Sequence, residues 1–321
     1  LRAKLLVPGE ALVAAARTSP EVYDLYLLAR QKISERKRTS LESAAQLLDK
    51  AIALDPEFAP AHAQRGICSL LLSEDLYGGV AIDQAQAQAR THLDRALLLR
   101  PSLAEALAGL GFYHYRLPGG NALAIQYLEQ ALLINPNLIE ASNWLYFAYR
   151  GVGQWQRGLA ILENMIERDP LNMLGIGNAV WVYIQMGQQD KAYSLLERVW
   201  LYMPENHTGG LEAELQFSLG RFADGLPLAE AAVQLNPINE TRRVLGMGLN
   251  ATHQYRRAIE EGNRDYKTLA LWHLGRSDEA SMLAYEIASD GYSASLLFML
   301  MNANGRSQEL VEYLEGCLLY T

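Results

Sequence analysis

Catalysis and metal binding demand particular side chains at particular spacings. Gly246-Met247-Gly248-Leu249-Asn250-Ala251 matches by letter the Gly-x-Gly-x-x-Ala pattern of a dinucleotide phosphate cradle. Such a cradle needs a strand before it and a helix opening after it. The apolar spacing here puts the segment inside a helix, so the match is read as accidental. No Gly-x-x-x-x-Gly-Lys loop, His-Glu-x-x-His helix or Gly-x-Ser-x-Gly elbow occurs. His62, His92, His114, His207, His253 and His273 include no pair three or four apart, as two ligands on one helical face would be. They are expected to be satisfied or exposed histidines and not metal ligands. Cys68 and Cys317 make neither a disulfide framework nor a metal site, and are expected as buried free thiols. Asn206-His207-Thr208, Asn239-Glu240-Thr241 and Asn250-Ala251-Thr252 are glycosylation sequons by letter, in a chain with no sign of a secretory context. Phe298, Met299 and Met301 are assigned to core packing. The reading is a chain without catalytic machinery and without a cofactor.

The 321 residues carry 28 Lys plus Arg against 36 Asp plus Glu, a formal charge of −8, which argues against direct nucleic-acid binding. A local basic spot at Arg30, Lys32, Arg36, Lys37 and Arg38 is read as a solvated helix end. No apolar run reaches the length of about 18 residues that a membrane span requires. The chain begins at Leu1 and shows no charged-then-apolar leader, so it is read as part of a longer protein. Cytoplasm and periplasm are both compatible with it, and no compartment is assigned.

The elements follow from punctuation. Pro56, Pro101, Pro136, Pro170, Pro204 and Pro237 are separated by 45, 35, 34, 34 and 33 residues. Twelve residues before each stands Ala44, Ala89, Ala124, Gly158, Ala192 or Gly225. Four further on come Leu48, Leu93, Leu128, Leu162, Leu196 and Ala229, and seven further on Ala51, Ala96, Ala131, Met165, Val199 and Ala232. Spacings of four and seven lie on one helical face, and a small residue there admits a close neighbour. Proline has no amide proton and stops the helix. A preceding helix ends at Gly153, Gly187, Gly220, Gly275 or Gly305, where glycine suits a left-handed turn. Helix, turn, helix and stop in about 34 residues is a repeating hairpin.

These residues resemble the tetratricopeptide repeat. Arg65-Gly66, Leu110-Gly111 and Leu245-Gly246 fill its Leu-Gly place fully or in part, whereas Tyr146 and Val180 replace the glycine, which predicts looser or rotated packing there. The resemblance implies an all-α, right-handed superhelical solenoid of about nine helical hairpins. Residues 1–18 are expected as a lead-in helix and 19–238 as six repeat units, the second enlarged around 73–88. Residues 239–321 are expected as three degenerate hairpins ending in a C-terminal cap. The seventh is expected to be abbreviated, because Gly262-Asn263 interrupts its second helix.

A narrower resemblance lies in Ser19-Pro20-Glu21-Val22-Tyr23-Asp24-Leu25-Tyr26-Leu27, Ala51 to Pro56, Tyr77-Gly78-Gly79 and Arg168 to Asn172. These look like repeat arrays of multidomain bacterial regulators, in which a winged-helix, cyclase or other signalling domain precedes the array. That implies an output domain upstream.

In the tetratricopeptide family the first helices line a concave peptide-binding face. Carried over by position, the partner groove comprises Ala108, Phe112, Tyr115 and Arg116, then Asn143, Phe147 and Arg150, then Gly177, Trp181 and Ile184. The carboxylate-clamping version of this groove uses Lys, Asn and Arg, of which only Asn143 and Arg150 have counterparts. An apolar peptide or partner helix seated by Phe112, Phe147 and Trp181 is therefore expected, unless these aromatics pack between neighbouring first helices. The resemblance implies a protein-interaction scaffold. The alternative is a sensory module that binds a small molecule or a neighbouring domain and controls the output domain.

Overall fold

The computed structural model describes residues 18–74, 81–202, 209–237 and 239–289. The expected lead-in helix, Tyr77-Gly78-Gly79, the ninth hairpin with Cys317 and the C-terminal cap lie outside the described residues. Among the described residues there are sixteen α-helices and no strand, and no helix is long and apolar enough to cross a membrane.

Two compact units divide between Pro170 and Leu171. The first contains α1 (Pro20–Ser34), α2 (Arg38–Leu54), α3 (Ala59–Leu72), α4 (Ile82–Leu99), α5 (Ala104–Tyr115), α6 (Asn121–Ile134), α7 (Ile139–Gly151) and α8 (Trp155–Arg168). The second contains α9 (Met173–Gln185), α10 (Gln189–Tyr202), α11 (Gly209–Ser218), α12 (Phe222–Leu235), α13 (Asn239–Ala251), α14 (Tyr255–Glu261), α15 (Arg264–His273) and α16 (Ser277–Ser289). Odd-numbered helices pair with the even-numbered helix that follows, giving eight hairpins among the described residues.

The stops work as local sterics require. Asp55, Arg100, Asn135, Asp169 and Asn236, each directly before a proline, are extended, with φ between −132° and −147°. The proline ring excludes the helical conformation from the residue before it, and the missing amide ends the ladder. Gly153, Gly187, Gly220 and Gly275 turn the chain between the helices of a hairpin with φ between 69° and 75°. At Ile82 to Leu99, α4 runs 18 residues against 14 in α6, α8, α10 and α12, so the polar stretch from Asp83 to Gln88 lengthens it by about one turn.

Packing follows the small residues. Ala44, Leu48 and Ala51 of α2 and Ala89, Leu93 and Ala96 of α4 are fully buried. A methyl group on Gly66 would meet Leu93 Cγ at 2.7 Å, and one on Gly111 would meet Leu128 Cγ at 2.4 Å. In the fourth hairpin the volumes are exchanged, and its two helices, like those of the fifth hairpin with Val180, approach each other less closely than those of the second and third, as the loss of the glycine predicts. Tyr146 occupies the glycine place of α7 and is 1% exposed, and Gly158 of α8 gives it room, its missing methyl lying 3.2 Å from the Tyr146 ring. In the seventh hairpin α14 is only seven residues long, and Gly262 lies against Gly246. The segment from Gly246 to Ala251 is inside α13, so the phosphate-cradle geometry is absent there.

Candidate partner-binding surface

Burial sorts the expected groove residues. Ala108, Phe112, Asn143 and Ile184 are buried, whereas Tyr115, Arg116, Phe147, Arg150, Gly177 and Trp181 are half-buried. Phe112 is 1% exposed, and its ring stacks on Trp144 of α7 with centroids 4.4 Å apart and planes 2° apart. It takes the packing alternative. The reason is Trp144, two positions before Tyr146, which fills the space between α5 and α7.

The residues left accessible in the first unit converge on one place. Tyr115, at the end of α5, lies 6.1 Å from the ring of Phe147 on α7. The Arg150 guanidinium sits 5.0 Å above Phe147 and 6.0 Å from Tyr146, within the range of a cation–π contact. Burial pushes the Tyr115 hydroxyl above its ordinary pKa, against the pull of Arg150 and Arg116. Burial does the same to Tyr146, again opposed by Arg150. The hydroxyls thus stay protonated donors, and the cluster offers two aromatic faces beside a fixed positive charge. Arg116 caps α5 through its backbone, its amide donating to the Phe112 carbonyl at 3.2 Å. Trp181 lies on α9 in the second unit, where Ile184 is 8% exposed.

Two features escaped sequence reasoning. His62 of α3 and His92 of α4 bring their Nδ1 atoms within 3.1 Å, and His62 Nε2 lies 3.2 Å from the Pro56 carbonyl. A separation of 30 residues carries no helical-face signal; only hairpin packing joins them. Burial, then Arg65 and His62, hold His92 down to about 4. Among the described residues no three His, Cys, Asp or Glu side chains gather as a metal site. In the second unit, Glu214 of α11, 6% exposed at its side chain, pairs with Arg243 of α13 at 2.9 Å. The basic spot near residue 36 is largely neutralised, with Lys32 on Glu35 at 2.8 Å and Arg38 on Glu42 at 3.0 Å. Cys68 is a buried free thiol whose Sγ donates to the Leu41 carbonyl.

No family model and no curated protein matches the chain. A tetratricopeptide repeat protein from Parabacteroides merdae, 14% identical, superimposes with a TM-score of 0.55, covering 88% of this chain and 100% of its own. This chain has the tetratricopeptide-repeat fold. Human IFIT1, solved as a dimer with m7Gppp-AAAA, is 17% identical with a TM-score of 0.54, covering 88% of this chain and 78% of its own. At such identities the likeness is one of fold alone. The tetratricopeptide-repeat fold makes α1, α3, α5 and α7 the first helices of the first unit, so Tyr115, Phe147 and Arg150 occupy neighbouring first helices.

Proposed function

We propose that this chain is a non-catalytic protein-interaction scaffold that seats a peptide or partner helix against the first helices of its first unit. The observation that supports it is the half-buried cluster of Tyr115, Phe147 and Arg150 on adjacent first helices. Aromatic and arginine side chains are the commonest anchors of protein interfaces, and rings already held by neighbours lose little entropy on binding. Arg150 adds a preference for an acidic residue beside the apolar anchor. With Phe112 withdrawn into the packing, the anchor is this cluster and not a row across three repeats.

The test is selection from a random-peptide library on the folded chain, followed by titration of the selected peptides. Selected sequences should pair an apolar or aromatic residue with an acid. Phe147→Ala should weaken binding by about 30-fold, the equivalent of a 2 kcal/mol anchor, with the helical circular-dichroism signal retained. Binding unaffected by both Phe147→Ala and Arg150→Gln overturns the proposal. A library that yields no peptide, together with thermal stabilisation by a metabolite, favours the sensory-module alternative instead.

A further inference from the structure

Arg36, in the turn between α1 and α2, adopts φ 51°, whereas the equivalent turns of the fourth, fifth and sixth hairpins use Gly153, Gly187 and Gly220. Glycine takes that left-handed conformation freely, and a residue with a Cβ is strained in it. The side chain at this strained position does not stay local. Its Nη2 lies 2.5 Å from Oε2 of Glu140 in the first turn of α7, joining the first hairpin to the fourth. Strain held at a residue that makes so remote a contact points from geometry to function.

The inner face of α1 is itself anchored, the ring of Tyr26 meeting Phe58 at the start of α3 with centroids 5.4 Å apart. Tyr26 of α1 is buried, 5% exposed, with the Arg30 guanidinium 5.7 Å from its ring. Burial pushes its hydroxyl up to about 12; Arg30 pulls it down, and the charge of Glu105, in the first turn of α5, pushes it up. The charge of Glu105 thus reaches the buried face of α1 from beyond its immediate neighbour α3.

We propose that Arg36 and Glu140 form an electrostatic latch that holds the first hairpin toward the fourth and narrows the concave face of the first unit, so that a partner segment entering there must work against it. The consequence for a partner rests on the function proposed above; the latch itself does not. The two side chains are 30% and 47% exposed, so the pair is screened and reversible. An exposed pair of this kind changes the ratio of closed to open forms by up to about fivefold. Salt weakens it, since the screening length falls from about 10 Å at 0.1 M to about 3 Å at 1 M.

The test measures spin-label distances in the full chain, with labels at Gln31→Cys on α1 and Leu133→Cys on α6 and with Cys317 replaced by serine. Cys68 stays, because burial pushes its thiol up to about 12 and keeps it unreactive. Gln31 and Leu133 are exposed, so the labels disturb no packing. Arg36→Gly removes the side chain and relieves the turn, and Glu140→Gln removes the charge alone. Both should move the distribution toward longer distances at 0.1 M salt, as 1 M salt should in the native chain. The reversed pair Arg36→Glu with Glu140→Arg should restore the shorter distance. Distributions that superimpose on the native one for both single variants overturn the latch. So does a shift that reversal fails to restore, because the cause is then the lost side chains and not their charges. No partner is present in this measurement, so failure of the peptide-binding proposal leaves its outcome readable.

Discussion

Phe112→Ala should damage stability far more than Phe147→Ala, although the two residues hold the same position in consecutive repeats. Phe112 is 1% exposed and stacked on Trp144 at 4.4 Å. Its removal leaves a cavity between α5 and α7, and truncation of a buried phenylalanine costs about 3–5 kcal/mol. Of that, about 0.5–1.5 kcal/mol belongs to the ring pair beyond its buried area. Phe147 is half-buried among Tyr115, Tyr146 and Arg150, so truncation should cost only about 1–2 kcal/mol by area. Urea melts of the full chain by circular dichroism measure both, with the transition slope checked for each variant. Hairpins contact mainly their neighbours, so the loss should show as earlier unfolding of the first unit. A Phe112→Ala transition within about 0.5 kcal/mol of the native chain refutes the reasoning, as does a larger cost for Phe147→Ala.

Gly111→Ala should cost about 1–3 kcal/mol by overpacking, since its methyl would lie 2.4 Å from Leu128 Cγ; a thermal melt unchanged from native would show that the helices can separate freely. Gly153→Ala meets no atom within 4 Å, yet at φ 73° should cost about 1 kcal/mol through backbone strain alone, read in the same melts. Glu214→Ala should cost about 1–3 kcal/mol because it removes the buried carboxylate that compensates the Arg243 guanidinium, whose hydrogen bond to Tyr266 remains, and a loss under about 0.5 kcal/mol in denaturant melts would contradict that. His92 has a folded pKa of about 4 against an ordinary 6.5, so the unfolded chain binds more protons between those values. Its contribution to stability is complete above pH 6.5 and is lost as the pH falls toward 4. Native melting midpoints should therefore drop more steeply over that window than those of His92→Gln, and parallel curves would refute the assignment.

The hairpins are legible in the sequence because their boundaries are set by short-range sterics. A residue before proline must leave the helical region, as Asp55, Arg100, Asn135, Asp169 and Asn236 do, and glycine alone turns the chain left-handed without penalty at Gly153, Gly187 and Gly220. The small residues at Ala44, Ala89 and Ala124 likewise announce which face is buried, since apolar spacing is a property of one helix. What a helix meets is not. Phe112 and Phe147 have the same place in the repeat, and only the arrival of Trp144 buries one, while Arg150 and Tyr115 leave the other at the surface. Tyr146 reads as a misfit until Gly158 is seen to make room for it. His62 and His92 are joined within one hairpin, and Arg36 and Glu140 across hairpins, at separations that no periodicity encodes. Sequence fixes the conformation of each short segment through contacts a few residues long; the burial and charge environment of a side chain depend on atoms that packing brings from elsewhere in the chain.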